Sequence, residues 1–539
     1  MIGDAAKILS AVRNCQNLKR AFHYAYRDRL NDRYYDHFEL EAVVRNKGNI
    51  IARLAEELKS PENYAPQPAY AYFIPKNELC YRRMIYIPFK DLVVRYALVT
   101  VFADLLDADL SPSCFANRRS KGKEREARFL ENFASISWPN FCKWQNECKE
   151  QSKFNTLLRT DISSFYDSIS HEYLIKTIAD QLNILTTTEV MVLLRKLLQI
   201  PVIAYSHLTG KTTDPEIMHQ GLATGNNTEG FLANLYLKSV DEAMNSLEGI
   251  AFGRYVDDMR IFATRRQEAK RAMLILQEYL LARGLNLNGS KTKIVEGKQK
   301  IEELRSKAYS PYDCLIEEED SIEQNHLPIT DRPFDEFNRY FEPGQALETE
   351  EDTKDFCRFL STALPASKRH PAYIDMLKTI LWQWHSSTKH ASWCLVETIV
   401  NSECPQDTRE YAAQALLDCL SDVRTSVYGK YRLLHYLVGR HKDSQILRIN
   451  YLSSSAIDLI KGLLPQFLEE QAFELNIMAL YMMRVLGATH ADLEAAVEAK
   501  FSQFVPVPIN NILTSVAKGI PFISDYNWYE EDKFAGSYY

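Results

Sequence analysis

The stretch FGRYVDDMRIFA, residues 252–263, sets two adjacent aspartates, Asp257 and Asp258, between two short apolar runs. Phe252–Val256 and Met259–Ala263 are long enough to pair as a β-hairpin, which places both carboxylates at its tip. Asp is common in turns, but a turn that needed only Asp would more naturally read Asp-Gly. Two neighbouring carboxylates also raise one another's pKa unless a cation lies between them. On its own the stretch reads either as an ordinary hairpin turn or as half of a metal site.

A second stretch tips the balance towards metal. In LLRTDISSFYDSIS, residues 157–170, an apolar strand runs straight into Asp161, followed by a polar turn and a helix. A carboxylate at the carboxyl end of a buried strand is well placed to project into a cleft. Asp161 and Asp257 are the ligand types of Mg²⁺, a hard ion that takes a few carboxylates and leaves positions for substrate phosphates. Two such ions, about 3.5–4 Å apart, can activate an attacking hydroxyl and stabilise a leaving pyrophosphate.

The surrounding pattern alternates. Thr156–Ile162 reads as a strand, and HEYLIKTIADQL (171–182) as a helix with Leu174, Ile178 and Leu182 on one face. EGFLANLYLKSVDEAMNSL (229–247) is a second helix. After the hairpin, EAKRAMLILQEYLLARG (268–284) is a third, ended by Gly284 as a left-handed cap. This order predicts an antiparallel sheet with helices on one face. Upstream, residues 1–60 read as helical, and 61–75, with four prolines, as extended or looped. RRMIYIP (82–88) is a short strand, and DLVVRYALVTVFADLL (91–106) a helix apolar nearly all round and so buried.

Beyond residue 300 the composition changes. EEEDSIEQNHLPITDRP (317–333) is acidic and holds two prolines, the signature of a boundary. After it, segments such as YIDMLKTILWQW (373–384), REYAAQALLDCL (409–420) and ELNIMALYMMRVL (474–486) read as helices with short breaks, stacked in the manner of HEAT repeats. The expected division is residues 1–305, an acidic linker 306–334, and a helical domain 335–539 with a flexible tail.

A chain of 539 residues is too long for one core. No apolar run is long enough to span a bilayer and the N-terminus lacks a secretory signal, so a cytoplasmic protein without a membrane partner is expected. The ten cysteines contain no CxxC pair, which argues against a zinc site or a disulfide framework. Net charge is −7, so nucleic-acid binding would need a local basic surface. NRRSKGKEREAR (117–128) is the candidate, although a charge run is usually a solvated face.

Taken together, these motifs resemble the palm of reverse transcriptases. LLRTDISSFYDSI resembles the first catalytic motif and RYVDDMRIF the YxDD motif. GLATGNNTEGFLANLYL (221–237) resembles the helix-forming motif between them, and GLNLNGSKTKI (284–294) the lysine-bearing motif after them. RRMIYIP resembles the fingers segment that grips a triphosphate. The resemblance implies an α/β (α+β) palm and fingers, followed here by the all-α HEAT-like domain. It implies that Asp161, Asp257 and Asp258 are catalytic, and that with the carbonyl of Ile162 they hold two Mg²⁺ ions, for which Mn²⁺ can substitute. Asp258 would assist as a weaker ligand, or from just outside the ligand sphere. Tyr166 would lie under the sugar and select dNTPs over NTPs. Arg82, Arg83, Thr224, Gly225 and Lys291 would contact the nucleotide, Lys291 at the leaving pyrophosphate.

Templated members usually carry Pro-Gln-Gly and then Ser-Pro, where this chain has Ala223-Thr224-Gly225 and then Glu229-Gly230. Thr224 is too short for the contacts Gln makes, and Glu229 would put negative charge near a nucleic-acid backbone. The Thr-Gly turn and the helical second half are similar to the abortive-infection and other defence-associated bacterial enzymes. That likeness implies homo-oligomers and anti-phage DNA synthesis primed from a protein tyrosine, with DNA left attached to it, in several cases without a template. Tyr34, Tyr35, Tyr538 and Tyr539 are candidate primers among thirty tyrosines. Two alternatives stand beside this reading: an RNA-templated enzyme of retron or intron type with a noncoding RNA partner, and a catalytically silent nucleic-acid-binding scaffold.

Overall fold

The structure, a computed structural model, describes every residue except 1, 35, 77–79, 204–214, 302–340, 440–445, 471 and 502–539. The acidic linker, Tyr35, Tyr538, Tyr539 and the tail lie outside the described residues.

Four helices open the chain: α1 (Ala5–Val12), α2 (Cys15–Asn31), α3 (His37–Arg45) and α4 (Lys47–Glu57). Strands β1 (Ala69–Pro75) and β2 (Tyr81–Tyr86) follow as an antiparallel pair, with Phe73 opposite Arg83. Helix α5 (Phe89–Leu106) then runs through the centre of the molecule, buried on nearly every side as its composition predicts. Short helix α6 (Glu124–Ala127) and helix α7 (Trp138–Glu150) lead to β3 (Thr156–Thr160), β4 (Ile162–Ser163) and a four-residue helix α8 (Phe165–Ser168). Helices α9 (His171–Leu182) and α10 (Glu189–Leu198) precede β5 (Pro201–Ile203), β6 (Glu216–Ile217) and the long α11 (Asn227–Asn245). The hairpin β7 (Ile250–Tyr255) and β8 (Asp258–Ala263), helix α12 (Arg266–Leu281), β9 (Asn286–Leu287) and β10 (Lys293–Glu296) complete this part. The Gly284 backbone is left-handed (φ +73°) just past α12, as the cap reading requires.

Two four-stranded sheets result. The palm sheet has the order β10-β3-β8-β7 and is antiparallel throughout. Thr160, the last residue of β3, lies opposite Met259, which sets Asp161 beside the start of β8. The fingers sheet has the order β2-β1-β5-β6. Its alternation explains its double burial. Ala69, Ala71, Ile85 and Ile87 face the core built on α2 and α5, whereas Tyr70, Tyr72, Ile74, Met84 and Tyr86 face the other way, into a second core.

That second core is shared with the C-terminal helices α13 (Glu350–Arg358), α14 (Pro371–Gln383), α15 (Thr388–Val400), α16 (Gln406–Ser421), α17 (Val427–Val438), α18 (Ser454–Glu469), α19 (Phe473–Val485) and α20 (His490–Phe501). From α14 to α19 each packs against the next but one, and most also against the next, the neighbour pattern of stacked helical layers. The two halves are also joined by polar contacts. The Tyr481 ring stacks on His37 (4.5 Å between centroids), and Arg484 pairs with the buried Glu41 at 3.1 Å.

Candidate active site

The hairpin turn between β7 and β8 consists of Val256 and Asp257. Val256 has φ +56° and Asp257 does not share the positive sign, the pattern of a II′ turn, where Gly is the usual first central residue. A β-branched residue there is strained and persists only when its surroundings hold it. They do so through Arg254. Its guanidinium, fully buried, donates two bonds to Asp241 (2.7 and 2.9 Å), one to Asn234 Oδ1 (2.9 Å) and one to the Val256 carbonyl (3.1 Å). Asp241 and Asn234 are seven residues apart on α11 and so share a face. Asn234 Nδ2 donates to the carbonyls of Ala116 and Asn117, tying the loop before α6 into the same network.

Asp161 lies at the end of β3 on the turn into α8, and its carbonyl accepts from Asn288 at 2.7 Å. Lys291 Nζ sits 2.8 Å from its Oδ2, which also accepts a long bond from Asn288 Nδ2. Asp257 titrates at about 6, raised first by burial, then by the Asp161 charge and by Asp258. The Lys291 ammonium is held above its ordinary pKa mainly by its bond to Asp161. Two carboxylates thus repel one another, with the Lys291 ammonium bonded to Asp161 and the Arg82 charge acting on Asp257 as relief. Oxygen donors under mutual repulsion are the donor set that fits Mg²⁺. Ile162 is buried and pairs with Leu287 across β4 and β9, which fixes the backbone next to Asp161.

Asp258, read as a weaker ligand or a helper just outside the ligand sphere, already has a cationic partner. Both its oxygens face the Arg260 guanidinium, one at 2.7 Å. Asp161 and Asp257 converge, and Asp258 contributes its charge from the side. Among the described residues no set of three His, Cys, Asp or Glu side chains forms a ready cage.

Tyr166 is half-buried, one turn after Asp161. Burial first, then the Asp257 charge, raises its hydroxyl pKa, and Asn117 hydrogen-bonds to it. Asn117 in turn lies against α11 so closely that a Cβ on Gly230 would meet it at 2.6 Å. Arg82 and Arg83 stand at the exposed end of β2, near Asp167. The Thr224 hydroxyl, expected at the nucleotide, donates instead to the Arg83 carbonyl at 2.9 Å, and Ile85 N–H returns a bond to the Thr224 carbonyl. The turn therefore clasps the fingers strand. Gly225 (φ +121°) lies against Met84, whose Cε would be 3.2 Å from a Cβ there.

Three expectations need correction. Glu229 does not reach a groove: it is fully buried and paired with Arg95 on α5, so its charge is neutralised inside the protein. The arginines Arg118, Arg119 and Arg125 of the 117–128 run are tied to acidic partners, while Lys121 and Lys123 stay exposed. Arg118 pairs with Asp107 at 3.0 Å, and Arg119 and Arg125 with Asp104 at 2.9 and 2.5 Å. Tyr34 cannot offer its hydroxyl to the metals as placed, because it is buried between Tyr72, Tyr86 and Tyr431. Sequence reasoning missed Arg254, Asn234, Asp241 and Asn117. The available signal was a polar pair seven residues apart in an otherwise apolar helix.

Residues 75–315 match the family described as reverse transcriptase (RNA-dependent DNA polymerase). The match covers all five motifs, supports a reverse-transcriptase family and indicates an RNA-directed DNA polymerase domain, a nucleotidyltransferase. The fold is also similar to apo telomerase from Candida tropicalis truncated from its C-terminal domain, with 14% identity and a TM-score of 0.32. The likeness covers 47% of this chain and 55% of that one, so the chain spans about half the length of the telomerase structure. No curated protein matches the chain. No helix among the described residues is long and apolar enough to cross a membrane.

Proposed function

We propose that the protein is a Mg²⁺-dependent DNA polymerase that extends a hydroxyl with dNTPs, acting in anti-phage defence as a cytoplasmic homo-oligomer. The observation that carries this reading is the mutual repulsion of Asp161 and Asp257, with the Lys291 ammonium bonded to Asp161 beside them. These two carboxylates, with the backbone at Ile162, would hold the metal, which lowers the pKa of the attacking hydroxyl and neutralises the leaving pyrophosphate. Asp258 supports them by its charge. The chain's own residues do the rest. Arg254 fixes the turn, Tyr166 floors the sugar with Asn117 holding its hydroxyl, and Arg82 and Arg83 neutralise the triphosphate. Lys291, bonded to Asp161 at 2.8 Å, is the residue placed to shield or protonate the leaving pyrophosphate.

Protein-primed, untemplated synthesis with DNA joined to a tyrosine is the preferred mode, supported by Thr224 being spent on the fingers backbone. The test supplies one labelled dNTP and Mg²⁺ to the purified chain without nucleic acid. Label that survives denaturation on the protein is expected; label appearing only with added template and primer overturns this mode. One observation favours the templated alternative, with or without a noncoding RNA. Glu229 is internal and paired with Arg95, so it no longer repels a template.

Tyr166→Ala should relax sugar discrimination. Its ring occupies the space a 2′-hydroxyl would enter, so ribonucleotide incorporation should rise at least about tenfold relative to dNTP, a difference on the scale of one excluded group. Unchanged discrimination in a competition assay would remove Tyr166 from the sugar site.

A further inference from the structure

Arg260 has no task in the mechanism above, yet it holds the second aspartate of the hairpin. Asp258 and Arg260 are two residues apart on β8 and so share one face of the palm sheet. The guanidinium donates from Nη1 to Oδ1 of Asp258 and from Nη2 to Oδ2, the latter at 2.7 Å. Nη1 also donates to the Met259 carbonyl at 3.1 Å. The two ends of the pair differ in exposure. The Arg260 side chain is 5% exposed and that of Asp258 39%.

The strands on either side give Arg260 no second carboxylate. Opposite it stand Arg159 on β3 and Gly253 on β7. Neither has a side chain that accepts, and the Arg159 charge opposes that of Arg260. Parted from Asp258, the guanidinium would stay buried with a like charge across the ladder. A buried charge stripped of its partner is costly. The cation on Asp161 is held less firmly, since the Lys291 side chain is 60% exposed. The three carboxylates of the site are therefore not equivalent. Asp258 is matched, charge for charge, by a buried partner, whereas Asp161 and Asp257 are under repulsion.

We propose that Arg260 is a positioning residue that withholds Asp258 from the metal, leaving Asp161 and Asp257 as the donor pair for a single cation in the absence of nucleotide. This rests on the metal-dependent reading above. A triphosphate carries oxygen ligands of its own for a divalent ion, so it supplies what Asp258 does not. Arg260 thereby ties full metal loading to nucleotide loading.

The test titrates Mn²⁺ into the full-length protein without nucleotide and reads Kd and stoichiometry by calorimetry. The rise in Tm on adding Mn²⁺ is the second readout. Wild type should bind a single ion per chain. Arg260→Met should bind Mn²⁺ about tenfold more tightly, the scale of one carboxylate released to a nearby cation. Arg260→Lys keeps a cation without the planar fork and should fall between the two. The double variant Arg260→Met, Asp258→Asn should return to within about threefold of wild type, because the gain passes through Asp258. An arginine that only braced the strand would, when replaced, weaken Mn²⁺ binding or leave it unchanged. Either result, in a protein whose wild type binds Mn²⁺ and whose Asp257→Asn variant does not, overturns the proposal alone. A gain that survives Asp258→Asn overturns it as well. If wild type binds no Mn²⁺, the metal reading falls and the proposal with it. If Arg260→Met tightens binding but wild type incorporates no dNTP, the polymerase reading fails and the role of Arg260 stands.

Discussion

Asp257→Asn should abolish nucleotide incorporation, by about 10³-fold or more, and at the same time make the metal-free protein more stable at neutral pH. The loss follows from removing a charged metal ligand, which supplies several kcal/mol of transition-state stabilisation. The gain follows from the cost of keeping Asp257 ionised next to Asp161. The sign is fixed by the two pKa values. The folded carboxyl titrates at about 6, against 3.8 for a freely solvated aspartate. Between those values the folded state binds the proton more tightly, so wild-type stability falls as pH rises from about 4 to about 6 and is level above that. The variant lacks this fall. Thermal unfolding in chelator across pH 4–8, beside an incorporation assay, checks both halves. Retained incorporation would sink the metal assignment; identical pH profiles would sink the repulsion argument.

The largest stability effect is expected at a residue that touches neither metal nor nucleotide. Arg254→Met should lower unfolding free energy by about 3–5 kcal/mol, the cost of leaving Asp241 charged and alone in the interior. Arg254→Lys should not rescue it, since an ammonium cannot serve Asp241, Asn234 and the Val256 carbonyl in one plane. The double variant Arg254→Met, Asp241→Leu should recover much of the stability, as no charge is then stranded. It should remain inactive, because the strained Val256 turn has lost its anchor. Denaturant unfolding of the three variants decides this. A single variant within about 1 kcal/mol of wild type would show that the network carries no such energy.

The palm was legible because its signals are local. The 3.6-residue spacing of Leu174, Ile178 and Leu182 and the alternation around Asp257 both follow from which face is buried. Asp161 and Asp257 could be joined because each ends or turns a strand. What escaped was three-dimensional pairing. Glu229 reads as a groove charge until Arg95, on a helix far away in sequence, is seen to meet it. Arg118 and Arg119 read as a basic face until Asp107 and Asp104 are placed beside them. Tyr34 reads as an available hydroxyl until the C-terminal helices close over it. In each case a single residue has two plausible fates, and only its partner decides.

The doubly buried fingers sheet has a mechanical consequence. Tyr70, Tyr72, Ile74, Met84 and Tyr86 belong to the same core as Tyr431, Leu434 and Tyr481. Any swing of the fingers over a bound nucleotide must carry the helical half as ballast, or shear aromatic packing. The hinge therefore belongs at the joint with the palm, near the Thr224 clasp. Cutting the chain after the palm would not release a smaller enzyme. It would uncover a continuous aromatic sheet face of the kind that drives aggregation, so the catalytic and helical halves should melt together as one cooperative unit.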